Sequence, residues 1–282
     1  MKLLRLAARC VLWALLAMAV LLLWCQAALI YHPNVYQKPA LWELEKLGGH
    51  FLSITTSQGK QTAFYLPARK GPPHSPEFLW FVFGGNGSLA LDYLGETLRW
   101  DERFAYVFVD YPGYGLCEGN PNSARIAESI KEIAVKVRSE LHWSEAEMQQ
   151  RCGVLGHSLG CAAALIAADD LKLTRAVLCA PFTTMTAMAR GLVGWPLCYL
   201  NYHGFDNVSR LAALSASNAR VRAFHGQADE VIPVTMSREL VKMFPQMMQL
   251  QEMPDCHHAE IVMDARTEIG SAMLELSGLP RL

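Results

Sequence analysis

The chain has 282 residues, of which 52% are hydrophobic and 18% charged, with a formal net charge of −1. Near-neutral charge without a Lys/Arg-rich block argues against an electrostatic nucleic-acid binder. The length fits one large α/β domain or two small ones, and the chain shows neither an internal repeat nor a low-complexity segment.

The apolar excess is concentrated at the N-terminus. Cys10 to Ile30 is almost unbroken apolar, with Gln26 the one clearly polar residue, and is long enough to cross a bilayer core of roughly 30 Å as a helix. Lys2, Arg5 and Arg9 precede it, and the first charge after it is Lys38. The positive-inside rule then keeps the N-terminus cytoplasmic and places the rest on the far side, periplasm or secretory lumen. Trp24 and Tyr31 suit the far interface. The rival is a cleavable signal peptide, whose apolar region is usually shorter, roughly 7–15 residues; Cys25-Gln26-Ala27 is a passable cleavage site. The flanking charge asymmetry argues against a buried core helix. The expected division is residues 1–31 as basic tip and transmembrane signal anchor, 32–49 as connector, and 50–282 as the folded domain.

In the connector, Leu41–Leu47 carries a short helical pattern. Alternation over Phe51–Thr56 and a second run over Thr62–Leu66, joined by Ser57–Lys60, predict an edge hairpin. Gly71, Pro72, Pro73 and Pro76 make Ala68–Pro76 a loop. The continuous apolar runs Phe78–Phe83 and Phe104–Val109 read as central parallel strands. The first ends in Gly84-Gly85-Asn86-Gly87-Ser88, with a helix expected over roughly Leu89–Trp100; the second ends in Asp110-Tyr111-Pro112-Gly113-Tyr114-Gly115. Ile126, Ile130, Ile133, Val137 and Leu141 share one helix face, with Ser123 as its start. Further strands are expected at Cys152–Leu155, Ala176–Ala180, Val221–His225 and Met248–Met253. Further helices are expected at Cys161–Ala168, Val234–Phe244 and Ala259–Ser277, the last with Gly278 near its end. Pro181 to about Ser217 reads as an irregular insertion. Alternating strands and helices imply a mostly parallel sheet covered on both faces, which binds ligands at the carboxyl ends of its strands.

None of the eight cysteines forms a C-x-x-C or a metal-ligand spacing. Cys152, Cys161 and Cys179 fall in predicted core elements as small hydrophobes. Cys117, Cys198 and Cys256 fall in loops, where an oxidising compartment would permit a disulfide whose pairing the sequence does not give.

Gly156-His157-Ser158-Leu159-Gly160 is a G-x-S-x-G pentapeptide between a predicted strand and a predicted helix. That context holds a serine on a strained elbow with its oxygen exposed; the bland reading is a Gly-rich turn with a surface serine. A serine hydroxyl needs a base to take its proton, and that imidazole needs a carboxylate to fix its tautomer. Asp229 and His258 follow in the chain, each just after a predicted strand, in the Ser…Asp…His order of one particular fold. Glu230 is the adjacent rival acid and His257 the adjacent rival base. The residue after the nucleophile supplies one oxyanion N–H, here Leu159. Gly115-Leu116-Cys117-Glu118-Gly119 is formally a cysteine elbow, but it runs into Asn120-Pro121 and no helix springs directly from it. Asn86-Gly87-Ser88 and Asn207-Val208-Ser209 are formal glycosylation sequons.

From about His50 onward the chain resembles the α/β-hydrolases. Asp110–Gly115 is similar to the D-Y-x-G-Y-G loop of one branch, His225-Gly226-Gln227-Ala228-Asp229-Glu230-Val231-Ile232-Pro233 resembles an H-G-x-x-D-x-x-V-P segment carrying the acid, and Met253–His258 sits where the histidine loop belongs. The branch it looks most like contains single-anchor membrane hydrolases, including depalmitoylase-like proteins; monoacylglycerol-lipase-like enzymes are more distant. The resemblance implies an α/β-hydrolase fold with a small insertion in place of a large lid. It implies Ser158, Asp229 and His258 as catalytic residues and Asn86, by alignment with a His-Gly-Asn loop, as the second oxyanion donor. Gly84 stands where that loop usually has histidine, and His257 where the P-x-x-G-H pattern has glycine. The first departure bears on loop rigidity more than on chemistry. The expected protein is a membrane-anchored serine hydrolase cleaving a carboxylic ester or thioester through an acyl-serine, with no metal or organic cofactor implied. Its substrate would be an acyl ester or thioester such as a lipid or an acylated protein, and its partner a membrane rather than nucleic acid. Met185, Met188, Leu192, Val193, Trp195 and Leu197 would line an acyl site or simply pack as a helix. The alternatives are a serine peptidase of the same fold and a catalytically silent anchored binding protein.

Overall fold

The computed structural model describes residues 1–71 and 75–281. Pro72 and Pro73, in the loop expected over Ala68–Pro76, lie outside the described residues. The strands are β1 His50–Thr56, β2 Gly59–Leu66, β3 Phe78–Phe83, β4 Phe104–Val109, β5 Cys152–His157, β6 Arg175–Cys179, β7 Arg220–Gly226 and β8 Met248–Met253. The helices are α1 Lys2–Ile30, α2 Lys38–Lys46, α3 Leu94–Thr97, α4 Ser123–Leu141, α5 Glu145–Arg151, α6 Leu159–Leu171, α7 Met185–Val193, α8 Asn207–Ser215, α9 Val234–Met243, α10 Ile261–Asp264 and α11 Arg266–Ser277.

One eight-stranded sheet runs in the order β1-β2-β4-β3-β5-β6-β7-β8. The β1–β2 hairpin is antiparallel and forms one edge, β2 pairs antiparallel with β4, and β3 to β8 are mutually parallel. The strand period of two splits each central strand between two cores. Leu79, Phe81 and Phe83 face one side with α4 and α6 residues such as Ile130 and Leu165. Phe78, Trp80 and Val82 face the other with α11 residues such as Ile269 and Met273. Both sheet faces are therefore covered, as continuous apolar strands require. β3 has β4 on one flank and β5 on the other. The chain thus turns back across β3, and the carboxyl ends of β3 and β5 flank the crevice where such sheets bind ligands.

Several expected elements are corrected. The helix over Leu89–Trp100 is instead a 3₁₀ turn at Ala90–Tyr93 followed by the four-residue α3. Its first N–H groups are held elsewhere: Leu89 N–H by the Asp92 carboxylate and Ala90 N–H by Asp110 Oδ1. The supposedly irregular Pro181–Ser217 stretch contains α7, a 3₁₀ turn at Leu197–Leu200, and α8. Thr184 and Asp206 cap the two helices through their side chains, accepting from Ala187 and Ser209 N–H. α5 went unanticipated although Ser144 and Glu147 form a capping box. α4 is capped by Asn122 rather than Ser123. The closing helix starts at Ile261 and is interrupted at Ala265.

All eight cysteines are free, and Cys117, Cys198 and Cys256 are each buried, so no disulfide joins the three loop cysteines. The formal cysteine elbow is a turn whose thiol is tied to the Thr62 backbone. α1 is exposed over most of its surface and meets the domain with its last turns. There the Gln26 amide donates to Leu200 C=O at 2.8 Å and accepts from Tyr202 N–H at 3.0 Å.

Candidate active site

Ser158 sits between β5 and α6 with φ 56° and ψ −120°, a strained conformation for a non-glycine residue. The flanking glycines permit it. A Cβ on Gly156 would lie 2.2 Å from Gly160 C=O oxygen, and one on Gly160 would lie 2.2 Å from Phe83 C=O oxygen. The elbow is thus wedged against the end of β3.

The structure brings Ser158, His258 and Asp229 together from three loops. Ser158 Oγ lies 2.9 Å from His258 Nε2, and His258 Nδ1 lies 2.7 Å from Asp229 Oδ2. A carboxylate only accepts, so Nδ1 carries the proton and Nε2 is left to accept from the serine hydroxyl. Asp229 is fixed in turn. Its Oδ1 accepts from Val231 N–H at 2.9 Å and Ile232 N–H at 2.7 Å, and its Oδ2 lies 3.2 Å from His225 Nε2. Burial alone would raise the Asp229 carboxyl, but hydrogen bonds from His225, His258 and Ile232 N–H outweigh it and hold the group well below the usual carboxylate range. The neighbouring candidates point elsewhere: Glu230 accepts from His258 N–H at 3.4 Å and lies 3.1 Å from His257 Nδ1 at the surface.

Two histidines unassigned at the sequence level support this arrangement. His225 Nε2 faces two acceptors, Ile232 C=O at 2.9 Å and Asp229 Oδ2. It therefore carries a proton there, while Nδ1 lies 2.6 Å from Ser237 Oγ, whose hydroxyl donates to Pro181 C=O at 3.2 Å. His157, the variable residue before the serine, donates from Nε2 to His258 C=O at 3.0 Å and accepts from Tyr93 O–H at 2.8 Å. Burial, with the nearby His258, lowers its pKa to about 4, so it stays neutral across the ordinary pH range.

Asn86 and Leu159 line the same cavity as Ser158. Among the described residues neither backbone N–H has an internal hydrogen-bond partner, although N–H groups this close to a sheet end ordinarily do. The loop carrying Asn86 does not depend on a histidine at position 84. Tyr111 donates to Gly84 C=O and Tyr114 to Asn86 C=O, both at 2.6 Å. His32 N–H reaches Asn86 C=O at 2.9 Å, and the Asn86 side chain donates to Ile30 C=O at 3.1 Å. Those tyrosines belong to the Asp110–Gly115 loop, where Gly115 at φ 57° passes so close to Asp110 that a Cβ would lie 2.4 Å from its Oδ2. Neither sequon is open: the Asn86 amide is engaged as described, and buried Asn207 donates to Phe182 C=O at 2.8 Å.

The cavity over Ser158 measures about 540 Å³, within the roughly 300–1,000 Å³ range of small-molecule sites. Phe182, Met185, Met188 and Met236 give it an apolar lining. Among the described residues no cluster of three His, Cys, Asp or Glu side chains could hold a metal ion.

A strained serine elbow, a Ser–His–Asp relay and two backbone N–H groups without an internal partner, all at the carboxyl ends of the strands, suit a hydrolase. The model of the alpha/beta hydrolase family matches residues 71–270. The chain belongs to that family. This α/β hydrolase is 26% identical over 242 residues to an uncharacterized protein of Mycobacterium tuberculosis, a match covering 81% of this chain and 79% of the relative. It is 24% identical over 245 residues to the uncharacterized protein YfhR of Escherichia coli, covering 85% and 82%. An esterase of Pyrococcus furiosus has a TM-score of 0.65 to the hydrolase at 15% identity, covering 88% of this chain and 98% of that one. A serine hydrolase without a lid from Xanthomonas campestris has a TM-score of 0.58 at 15% identity, covering 83% and 96%. At that identity the structural likenesses establish the fold alone.

Proposed function

We propose that this α/β hydrolase is a membrane-anchored serine hydrolase cleaving a carboxylic ester or thioester. The observation that carries the reading is the continuous relay from Ser158 Oγ through His258 to Asp229, at 2.9 and 2.7 Å. In the first half-reaction Ser158 Oγ bonds to the substrate carbonyl carbon as its proton passes to His258 Nε2. The carbonyl oxygen becomes an oxyanion, held by Asn86 and Leu159 N–H; losing one such donor typically costs about 10²–10³ in rate. The bond to the leaving oxygen or sulfur then breaks, and His258 returns the proton to that atom. Water repeats the sequence on the acyl-serine, releasing the acid and restoring Ser158. Asp229 keeps His258 in the required tautomer and stabilises its positive charge. α1, long and apolar enough to cross a membrane, holds the domain at the surface. Arg5 and Arg9 at its N-terminal end favour a cytoplasmic N-terminus and a non-cytoplasmic domain.

A fluorophosphonate probe tests this directly. Wild-type protein is expected to label and Ser158→Ala to remain unlabelled. Folded wild-type protein that resists labelling would refute the enzyme reading.

A further inference from the structure

The cavity over Ser158 is not enclosed by the folded domain alone. Leu22, Gln26, Leu29 and Ile30 of α1 line it, and their spacing puts them on one helix face. Opposite them stand Met188, Leu192 and Leu200 of the insertion. The Gln26 amide clamps the two walls together through Leu200 and Tyr202.

The depth of this arrangement follows from α1. Its 29 residues span about 43 Å, against a hydrocarbon core of roughly 30 Å, or about 20 residues. Counted from Arg9, the last charge before the apolar run, the hydrocarbon ends close to Leu29. The pocket face of α1 thus lies in the far leaflet, and Ile30 marks the boundary between chains and headgroups. Ile30 C=O is the group that accepts from the Asn86 side chain at 3.1 Å, which puts the oxyanion loop at the boundary too. The ester groups of bilayer lipids lie at that same depth. Leu192 of the lining and, beside the pocket, Trp195, Tyr199 and Tyr202 are 73%, 76%, 61% and 60% exposed. Trp and Tyr are the residues that favour a membrane interface, and α1 ties this patch to one.

We propose that α1 and the Met185–Asn201 stretch together form the acyl pocket, and that the substrate is a long-chain ester of a membrane lipid, admitted to Ser158 from the bilayer rather than from water. The inference rests on the membrane-anchored serine hydrolase reading and adds the substrate class. Its thermodynamic logic is simple. A chain moved from lipid into an apolar pocket loses nothing, whereas exposing it to water on the way costs about fourfold in equilibrium per methylene. A wall made of the anchor itself removes the aqueous step.

The test uses full-length Ser158→Ala protein in phosphatidylcholine vesicles containing a phosphatidylcholine with a diazirine at the end of one acyl chain. Crosslinks are expected at Phe182, Met188 and Met236, which line the pocket, and Leu29→Trp should lower their yield about tenfold. Crosslinks confined to outward α1 residues such as Leu16, Val20 and Leu23 would overturn the proposal. In parallel, wild-type protein should release fatty acid from the same vesicles. Turnover of p-nitrophenyl butyrate or of an S-palmitoyl peptide without that release leaves the hydrolase reading standing and sinks the lipid substrate. Pocket crosslinks without fluorophosphonate labelling do the reverse, supporting the lipid-filled pocket while removing the hydrolase reading.

Discussion

The fold disfavours the charge of the buried Asp110 carboxyl. Burial pushes its carboxyl from the usual 3.8 up to about 7, against the hydrogen bond from Ala90 N–H. A raised acid contributes its full stability below the unfolded value and loses it as pH rises through the folded one. Stability should therefore fall between about pH 4 and pH 7, by up to about 4 kcal/mol from this group. Asp110→Asn keeps an oxygen for Ala90 N–H and carries no charge. Its stability relative to wild type, from urea denaturation, should improve from pH 5 to pH 8; parallel pH curves would count against a buried titrating carboxyl. His157 is a positioning residue of a different kind. His157→Leu frees His258 C=O while keeping similar bulk. We expect kcat to fall about tenfold, roughly 1.4 kcal/mol of barrier, with KM nearly unchanged, as steady-state kinetics on a p-nitrophenyl ester will show. That Ser158, Asp229 and His258 would come together was readable from chain order and their places after strands. His157 was not, because the variable position of a G-x-S-x-G carries no type preference that would point to a histidine-loop brace.

The loop after β3 shows the same division at the level of elements. Its Gly-rich composition and place were legible, and so was the absence of the usual histidine at position 84. What holds it was not legible, because hydroxyls 27 and 28 residues away in the chain supply the bonds. Tyr114→Phe removes the donor to Asn86 C=O. It should cost about 1 kcal/mol of stability, yet lower kcat several-fold without raising KM, since the oxyanion donors matter most in the transition state. Kinetics with a short p-nitrophenyl ester beside a thermal melt separate the two effects; loss of stability with unchanged kcat would make Tyr114 merely structural. The continuous strands β3 and β4 were read to the residue because both sheet faces are apolar. The bounds of α7 and α8 were not legible because Gly191, Gly194, Pro196 and Gly204 interrupt the apolar period around them. Their caps at Thr184 and Asp206 were the better signal, as was the Ser144–Glu147 box for α5.

For the whole molecule, the sequence pattern showed an apolar N-terminal helix ahead of an α/β fold, and the structure has both. It did not show that the two share a wall. Gln26 looked like a lone flaw in an apolar run, whereas its amide joins α1 to the insertion through Leu200 C=O and Tyr202 N–H. A buried polar group in apolar surroundings persists when its partners need it, and those partners are backbone groups that lose their only alternative if water is excluded. Gln26→Leu makes α1 more apolar, so partition into the membrane should be undiminished. The variant nevertheless leaves a C=O and an N–H unsatisfied, at a cost of about 1–3 kcal/mol each at most. That loss falls on the docking of α1 rather than on the sheet. Hydrogen exchange on detergent-solubilised protein should therefore speed up around residues 197–203 while β3 to β7 stay protected. A uniform loss of protection would mean that the anchor and the domain unfold as one cooperative unit; no change at all would mean that the Gln26 contacts do not hold the two together.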